Sequence, residues 1–174
     1  MDGRESREGW PSLDAEVLMT GPYTPLTSSL VVISNALITQ IEGGTYTVVP
    51  ADLAPMDVFY GDQDRIPRTP AVCIEPGEKN RELQGAPNMT FNTMDIFVLI
   101  YHNKMQEQQL TRLQTDTLAE EIEKRIHQNL QLGGIIIHGF CVSNESGYTY
   151  KDKTLYRTAR LTYRATSKTS LPVA

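Results

Sequence analysis

The sequence predicts an α+β domain: a four-stranded, mainly antiparallel sheet with two helices packed on it, an extended hairpin and an N-terminal arm. Three observations predict it. Residues 106–132 place Leu110, Leu113, Leu118, Ile122, Ile126 and Leu130 at intervals that settle at four, the signature of an amphipathic helix. Residues 89–102 and 155–166 are β-prone, and the second of them alternates cleanly, with Leu155, Ala159, Leu161, Tyr163 and Ala165 on one side and Tyr156, Thr158, Arg160, Thr162, Arg164 and Thr166 on the other. Between these and a shorter apolar run at Ala71–Glu75 lies a polar stretch too long for an ordinary hairpin turn.

In chain order, residues 1–27 form an arm. They are rich in charge at the start and carry Pro11, Gly21, Pro22 and Pro25, which deny them a regular element. They read equally as a frayed terminus or as an arm whose Trp10, Leu13, Leu18 and Tyr23, too apolar for a purely solvated tail, are candidates for docking on a neighbour. Residues 28–170 form a single domain and 171–174 a short tail. A helix is expected over 28–41, capped by Thr27 or Ser28 and stopped at Gly43-Gly44, with Leu30, Ile33 or Ser34, Leu37 and Ile41 inward and Val31, Val32 and Ile38 widening the stripe. Thr45–Val49 is a short β-prone run. Residues 50–70 read as a loop broken by Pro50, Pro55, Gly61, Pro67 and Pro70; its Asp52, Asp57, Asp62 and Asp64 lack the spacing of a calcium loop.

Ala71–Glu75 is a strand, and residues 76–88 read as the long hairpin connection, exposed in a monomer and reaching a neighbour or a lumen in an assembly. Strand 89–102 has Met94, Ile96, Val98 and Ile100 on one face and Phe97, Leu99 and Tyr101 on the other, so both faces ask for cover. In the long helix, Glu120, Glu121, Lys124, Arg125 and Gln128 are expected to face away from the stripe. Gly133-Gly134 is its expected stop, Ile135–Val142 the next strand, and Asn144–Thr149 the turn into the last strand.

The totals narrow the function. A chain of 174 residues with 40% hydrophobic residues can bury a core without a metal or disulfide. Its 16 basic against 21 acidic residues, a net charge of −5, do not steer it toward a phosphate backbone. Cys73 and Cys141 fall in expected strands, where a small apolar thiol is the usual occupant, and no secretory signal or membrane span is visible. His102, His127 and His138 form no metal-ligand pattern, and no nucleophile elbow, phosphate-cradling glycine loop or zinc-protease motif occurs. His138 and Cys141, three apart on one strand, point to opposite faces, so a catalytic couple is not expected; neither is a cofactor. Arg157, Arg160, Arg164 and Lys168 are the one basic concentration. With Tyr156 they could bind single-stranded nucleic acid, but the acidic total favours cross-strand ion pairs.

This order of elements, together with PAVCIEPGEKNRELQG, TMDIFVLIYH and YRTARLTYRATSKTSL, resembles the tail terminator (tail completion) proteins of tailed bacteriophages, the group that includes minor tail protein U, over roughly residues 28–170. The resemblance is one of topology and texture and carries no residue-level site. It implies a virion protein, assembled in the host cytoplasm, whose subunits form a hexameric ring at the head-proximal end of the tail tube. Such a ring ends tube polymerisation and presents a surface to neck or connector proteins, with DNA passing through the lumen unbound. The arm would serve a sheath or neck protein. Glu75, Glu78, Lys79, Arg81 and Glu82, in or beside the hairpin, are the candidate ring interface or lumen. Alternatives are a head-tail connector or stopper of the neck, a ferredoxin-like nucleic-acid-binding module, and a small enzyme on His138 and Cys141.

Overall fold

Thirteen residues of strong apolar content, LVVISNALITQIE, make the first helix, α1 (Leu30–Glu42), which buries Ile33, Ser34, Leu37 and Ile41 at intervals of one helical turn. It stops where Gly43 and Gly44 close onto the carbonyls of Thr39 and Ile41. Val31 on the far side is exposed, so the broad stripe is buried on one side only. The computed structural model describes residues 30–49, 56–83, 89–103 and 108–170. The expected cap at Thr27 or Ser28, the arm with Trp10, Leu13, Leu18 and Tyr23, and the tail 171–174 lie outside the described residues.

Among those residues the element order is α1, β1 (Asp57–Tyr60), β2 (Ala71–Leu83), β3 (Met89–His102), α2 (Gln108–His127), β4 (His138–Lys151) and β5 (Thr154–Ser170). The strands form one five-stranded sheet in the order β1-β2-β3-β5-β4. The class is therefore α+β with two helices, but the sheet has five strands and is mixed, because β1 pairs parallel to β2 while every other pair is antiparallel. The fifth strand comes from the segment expected to be loop: Asp57–Tyr60 lies beside Ala71–Ile74. Thr45–Val49, by contrast, forms a turn, with Val49 N–H bonded to Tyr46 carbonyl and the Tyr46 hydroxyl donating to Ile41 carbonyl.

Both helices cover the same sheet face. Val72 and Ile74 of β2, Met94, Ile96, Val98 and Ile100 of β3, and Ala159, Leu161, Tyr163 and Ala165 of β5 meet Ile33, Leu37, Ile41, Leu118, Ala119, Ile122 and Ile126 in one core. Each fully buried Ile or Leu there is worth about 1.5–3 kcal/mol over its exposed state. The expected α2 stripe is half right. Leu118, Ile122 and Ile126 are buried, but Leu110, Leu113 and Leu130 are exposed, and Thr111, Thr115 and Ala119 take the inward places. Small side chains there let α2 sit close on the sheet. Arg125 and Glu121 are half-exposed, as side chains away from the stripe, but both are engaged. Arg125 donates to the carbonyls of Gln40 and Gly43, Gln40 donates back to the carbonyls of Arg125 and Ile126, and Glu121 accepts from Thr47. The arginine thus satisfies carbonyls at the end of α1 that no helical N–H can reach.

The end of α2 also differs from expectation. The helix stops at His127, and Gly133 (φ 69°) and Gly134 (φ 90°) belong to a short 3-10 turn at Leu132–Gly134. Ile135–Ile137 do not start a strand, because Gln131 carbonyl holds the N–H groups of Gly134 and Ile136; Ile136 is buried as a plug and Ile137 is exposed. β4 begins at His138 and runs through Asn144–Thr149 without turning. The turn is Asp152-Lys153, both with positive φ, as a two-residue hairpin loop requires. Likewise residues 76–83, expected to be loop, continue β2 against β3 after an irregularity between Pro76 and Lys79, while β5 flanks β3 out to Ser170. The extension is a three-stranded ribbon.

Candidate functional site

The sheet face opposite the helices has little cover. Its own cluster is small: Ile66, Ala71, Cys73, Tyr101 and Tyr156, with Phe59 and Leu99 packed against it. Ile66, from the loop after β1, closes only this end. Phe97 is half-buried and Phe140 exposed. Alternation dictates what else stands on this face. The Asp95 carboxylate takes two hydrogen bonds from the Arg164 guanidinium, at 2.8 and 2.9 Å. Arg164 donating to it holds the Asp95 carboxyl below its usual range. Arg160 lies over the Phe97 ring at 3.8 Å. At the Ile66 end, Tyr101 hydroxyl and Lys151 both meet Asp62, and Lys151 also lies 5.1 Å from the Tyr101 ring centroid. An open depression of about 610 Å³ there is lined by Asp62, Asp64, Arg65, Tyr150, Lys151 and Asp152, of which Arg65 pairs with Asp152 and Lys151 with Asp62.

The candidate hairpin residues all lie on the outer part of β2, and pairing divides them between the two sides of the sheet. Glu75 stands opposite Phe97 and Glu82 opposite Phe91, so both belong to the uncovered face; Lys79 opposite Met94 and Arg81 opposite Asn92 belong to the helix side. Gly77 and Glu78 form the irregularity, where a Cβ on Gly77 would come within 2.7 Å of the Asp95 carbonyl oxygen. Only glycine admits that approach. Lys79 is pushed below the usual ammonium range by partial burial and by its neighbour Arg81.

β4 is an edge strand of fourteen residues whose Phe140, Val142, Tyr148 and Tyr150 are exposed. Its first part is not bare: Gly139 N–H donates to Leu130 carbonyl and Cys141 N–H to His127 Nε2. Leu130 and Ile137 beside it are also exposed. The other edge of the sheet is β1 for four residues and, beyond it, the outer part of β2.

His138 and Cys141 are not brought together. His138 stacks near Phe140 on the uncovered side, while Cys141 packs against the core beside α2, its thiol pushed up to about 12 by burial and by Glu123. Cys73 is buried and raised as well, and both cysteines are free thiols. A thiol so raised is a poor nucleophile at neutral pH. Among the described residues no group of His, Cys, Asp and Glu could hold a metal ion, and no helix is long and apolar enough to cross a membrane. The basic series of β5 is largely spoken for: Arg157 meets Asp116 and the Tyr148 ring, Arg164 meets Asp95, and Tyr156 is buried.

The sequence named the charges of the hairpin and expected cross-strand ion pairs for the basic series, as Arg164 makes with Asp95, but it did not name Asp95 and it missed the Tyr101–Asp62–Lys151 group and the β4 edge. The first could have been read from two alternating strands once they were set side by side; the others depend on a turn and a strand that composition disguises. The chain matches no protein-family model and no curated protein.

Proposed function

We propose that the protein is a structural subunit of a tailed bacteriophage: a ring at the head-proximal end of the tail tube that ends tube polymerisation and joins tail to head. The observation that carries this reading is the one-sided placement of the helices. α1 and α2 share one face, and the other presents Phe97, Leu99 and Phe140 with only a corner cluster over it. A face of that kind, flanked by an aromatic-bearing edge strand, is covered in a closed assembly of identical subunits. The hexameric ring, the tail tube and neck proteins as partners, the arm as a contact for sheath or neck, and the location in the virion belong to the same proposal.

A cap of this kind works by shape and charge, without chemistry. Glu75, Glu78 and Glu82, offset in part by Lys79 and Arg81, would line the passage or the joint between subunits, and an acidic lumen denies a DNA phosphate any local well. The nucleic-acid module loses its stacking platform, since Tyr156 is buried and Arg164 is tied to Asp95. The connector of the neck remains the alternative within the same class. Infection by a phage deleted for this chain tests the proposal: full heads and unjoined tails should accumulate, with some tails overlong. Normally joined particles would refute the terminator and the connector together. Overlong tails favour the terminator, and tails of normal length the connector.

A further inference from the structure

We propose that in the free subunit the N-terminal arm lies along β5 on the uncovered face of its own sheet, with Glu8 and Glu16 set against Arg160 and Lys168 and Trp10 over the Phe97 ring. This holds for the single chain, whether or not a ring forms. The middle of that face is basic. Arg160, Arg164 and Lys168 recur every four residues on β5 and pair with Leu99, Asp95 and Phe91, so all three stand on the uncovered side, and all three are exposed. Asp95 engages Arg164, but Arg160 and Lys168 have no ion pair among the described residues. Glu145, opposite Arg160, makes none with it, and Glu75 and Glu82 stand two strands away on β2. Phe91, Phe97 and Phe140 flank the stripe, the last of them 43% exposed.

The arm supplies the complement. From Glu8 to Ser29 it holds three carboxylates, Glu8, Asp14 and Glu16, and no lysine or arginine. Glu8 and Glu16 are eight residues apart, as Arg160 and Lys168 are, so an extended chain parallel to β5 meets both cations at once, roughly 26 Å apart. In that register the even-numbered residues face the sheet. Trp10 falls level with Thr162, the partner of Phe97, and Asp14 falls between Arg164 and Lys168. Pro11 fits, because the arm rests on side chains and joins no strand ladder. The direction follows from where the arm ends. Near the end of α1, Gln40 and Gly43 meet Arg125. One turn nearer its start, Ala36 shares a groove with Leu132 and Ile135, beside the outer part of β5, where Ile137 N–H meets Thr166 carbonyl. The arm therefore leaves α1 toward the ribbon end, the end at which Leu18 would stand. The twelve residues from Leu18 to Leu30 reach up to about 40 Å, more than the ~19 Å width of five strands at ~4.8 Å spacing. In the ring proposed above, a neighbour takes this face and frees the arm for sheath or neck.

Trp10 is the one tryptophan of the chain, so its fluorescence reports the contact, read in the full chain diluted until sedimentation finds the 19.5 kDa subunit. Wild type should emit to the blue of the urea-unfolded chain, and acrylamide should quench it several-fold less. Arg160→Glu with Lys168→Glu should move emission and quenching to the unfolded values while circular dichroism stays unchanged, and Glu8→Lys with Glu16→Lys should do the same. The fourfold variant, in which both signs are exchanged, should regain the wild-type spectrum. Lys79→Glu with Arg81→Glu makes the same change of charge on the helix side and should keep that spectrum throughout. A wild-type Trp10 as quenchable in the single subunit as in urea would overturn the contact, and a blue shift that appears only as subunits associate would overturn it by assigning the arm to a second copy. So would a double reversal on β5 without effect, a fourfold variant that stays released, or equal release by the helix-side reversal, since net charge alone would then govern the arm.

Discussion

Gly139→Ala and Gly147→Ala make the same substitution on the same strand and should move stability in opposite directions. A Cβ at Gly139 would lie 1.9 Å from Tyr163 Oη, 2.3 Å from its Cζ and 2.9 Å from Ile136 Cδ1. Tyr163 is fully buried in the core, wedged among Leu161, Ala165 and the helices, and Ile136 is buried too. Neither can withdraw by the ~1.5 Å that ordinary contact demands without displacing others, and overpacking of this kind costs about 1–3 kcal/mol. The loss of glycine's conformational freedom offsets about 0.5–1 kcal/mol of that. The net expectation for Gly139→Ala is a loss of up to about 2.5 kcal/mol. A Cβ at Gly147 meets nothing nearer than Thr158 Oγ1 at 3.8 Å, so Gly147→Ala keeps the entropic gain, about 0.5 kcal/mol. Urea unfolding at one pH measures both. By heat, with about 2–4 °C per kcal/mol for a chain this size, Tm should fall by up to about 10 °C for the first and rise by about 1–2 °C for the second. A Gly139→Ala protein stabilised as much as Gly147→Ala would show that β4 does not lie against Tyr163 as described.

Ile122→Ala and Ile126→Ala should each cost about 2–5 kcal/mol in the same assay, while Lys124→Ala and Leu113→Ala should be nearly silent; a large loss at Leu113 would restore the stripe expected from spacing alone. Asp95→Asn should be destabilising at neutral pH. The Asp95 carboxyl titrates lower folded than unfolded, so its contribution is present above the ordinary carboxylate range and is lost as pH falls through the folded value. The gap between variant and wild type should therefore close in acid, and a gap independent of pH would mean that Arg164 is not its partner. Cys73 and Cys141, both raised by burial, should react with iodoacetamide at pH 8 much more slowly in the native chain than in urea. Fast native labelling of Cys141, read by mass, would revive the enzyme reading.

The elements most legible in the sequence are those whose neighbours lie on both sides. β3 begins and ends at Met89 and His102 as read, because a central strand must be β-prone throughout. β1 was not legible: four residues among prolines become a strand only because Val72–Ile74 offer a parallel partner. The sequence Asn144–Gly147 has turn composition yet stays extended against Leu161–Thr158, and Asp152-Lys153, without a glycine, makes the turn that the pairing requires. α2 was located correctly except at its end, and its stripe was half right: at 3.6 residues per turn Leu110 and Leu113 stand off the side that buries Leu118, Ile122 and Ile126, and Leu130 lies beyond the end of the helix at His127. For the candidate site, the charges of β2 were visible, whereas their division into Glu75 and Glu82 on one side and Lys79 and Arg81 on the other depends on a one-residue irregularity at Gly77 and Glu78.

The seam between β3 and β5 has a kinetic meaning. β2 with β3 and β4 with β5 are each near neighbours in the chain, but β3 meets β5 across the whole of α2 and β4, Met89 lying beside Ser170 and His102 beside Arg157. Local hairpins close in microseconds, whereas non-local pairing waits on loop closure and slows folding. During synthesis β3 therefore emerges long before its second neighbour exists, with Ile96, Val98 and Ile100 unsheltered by β5. A ribosome stalled between β4 and β5 should hold a chain that proteases and aggregation both find, and release of β5 should be the moment at which the sheet becomes whole.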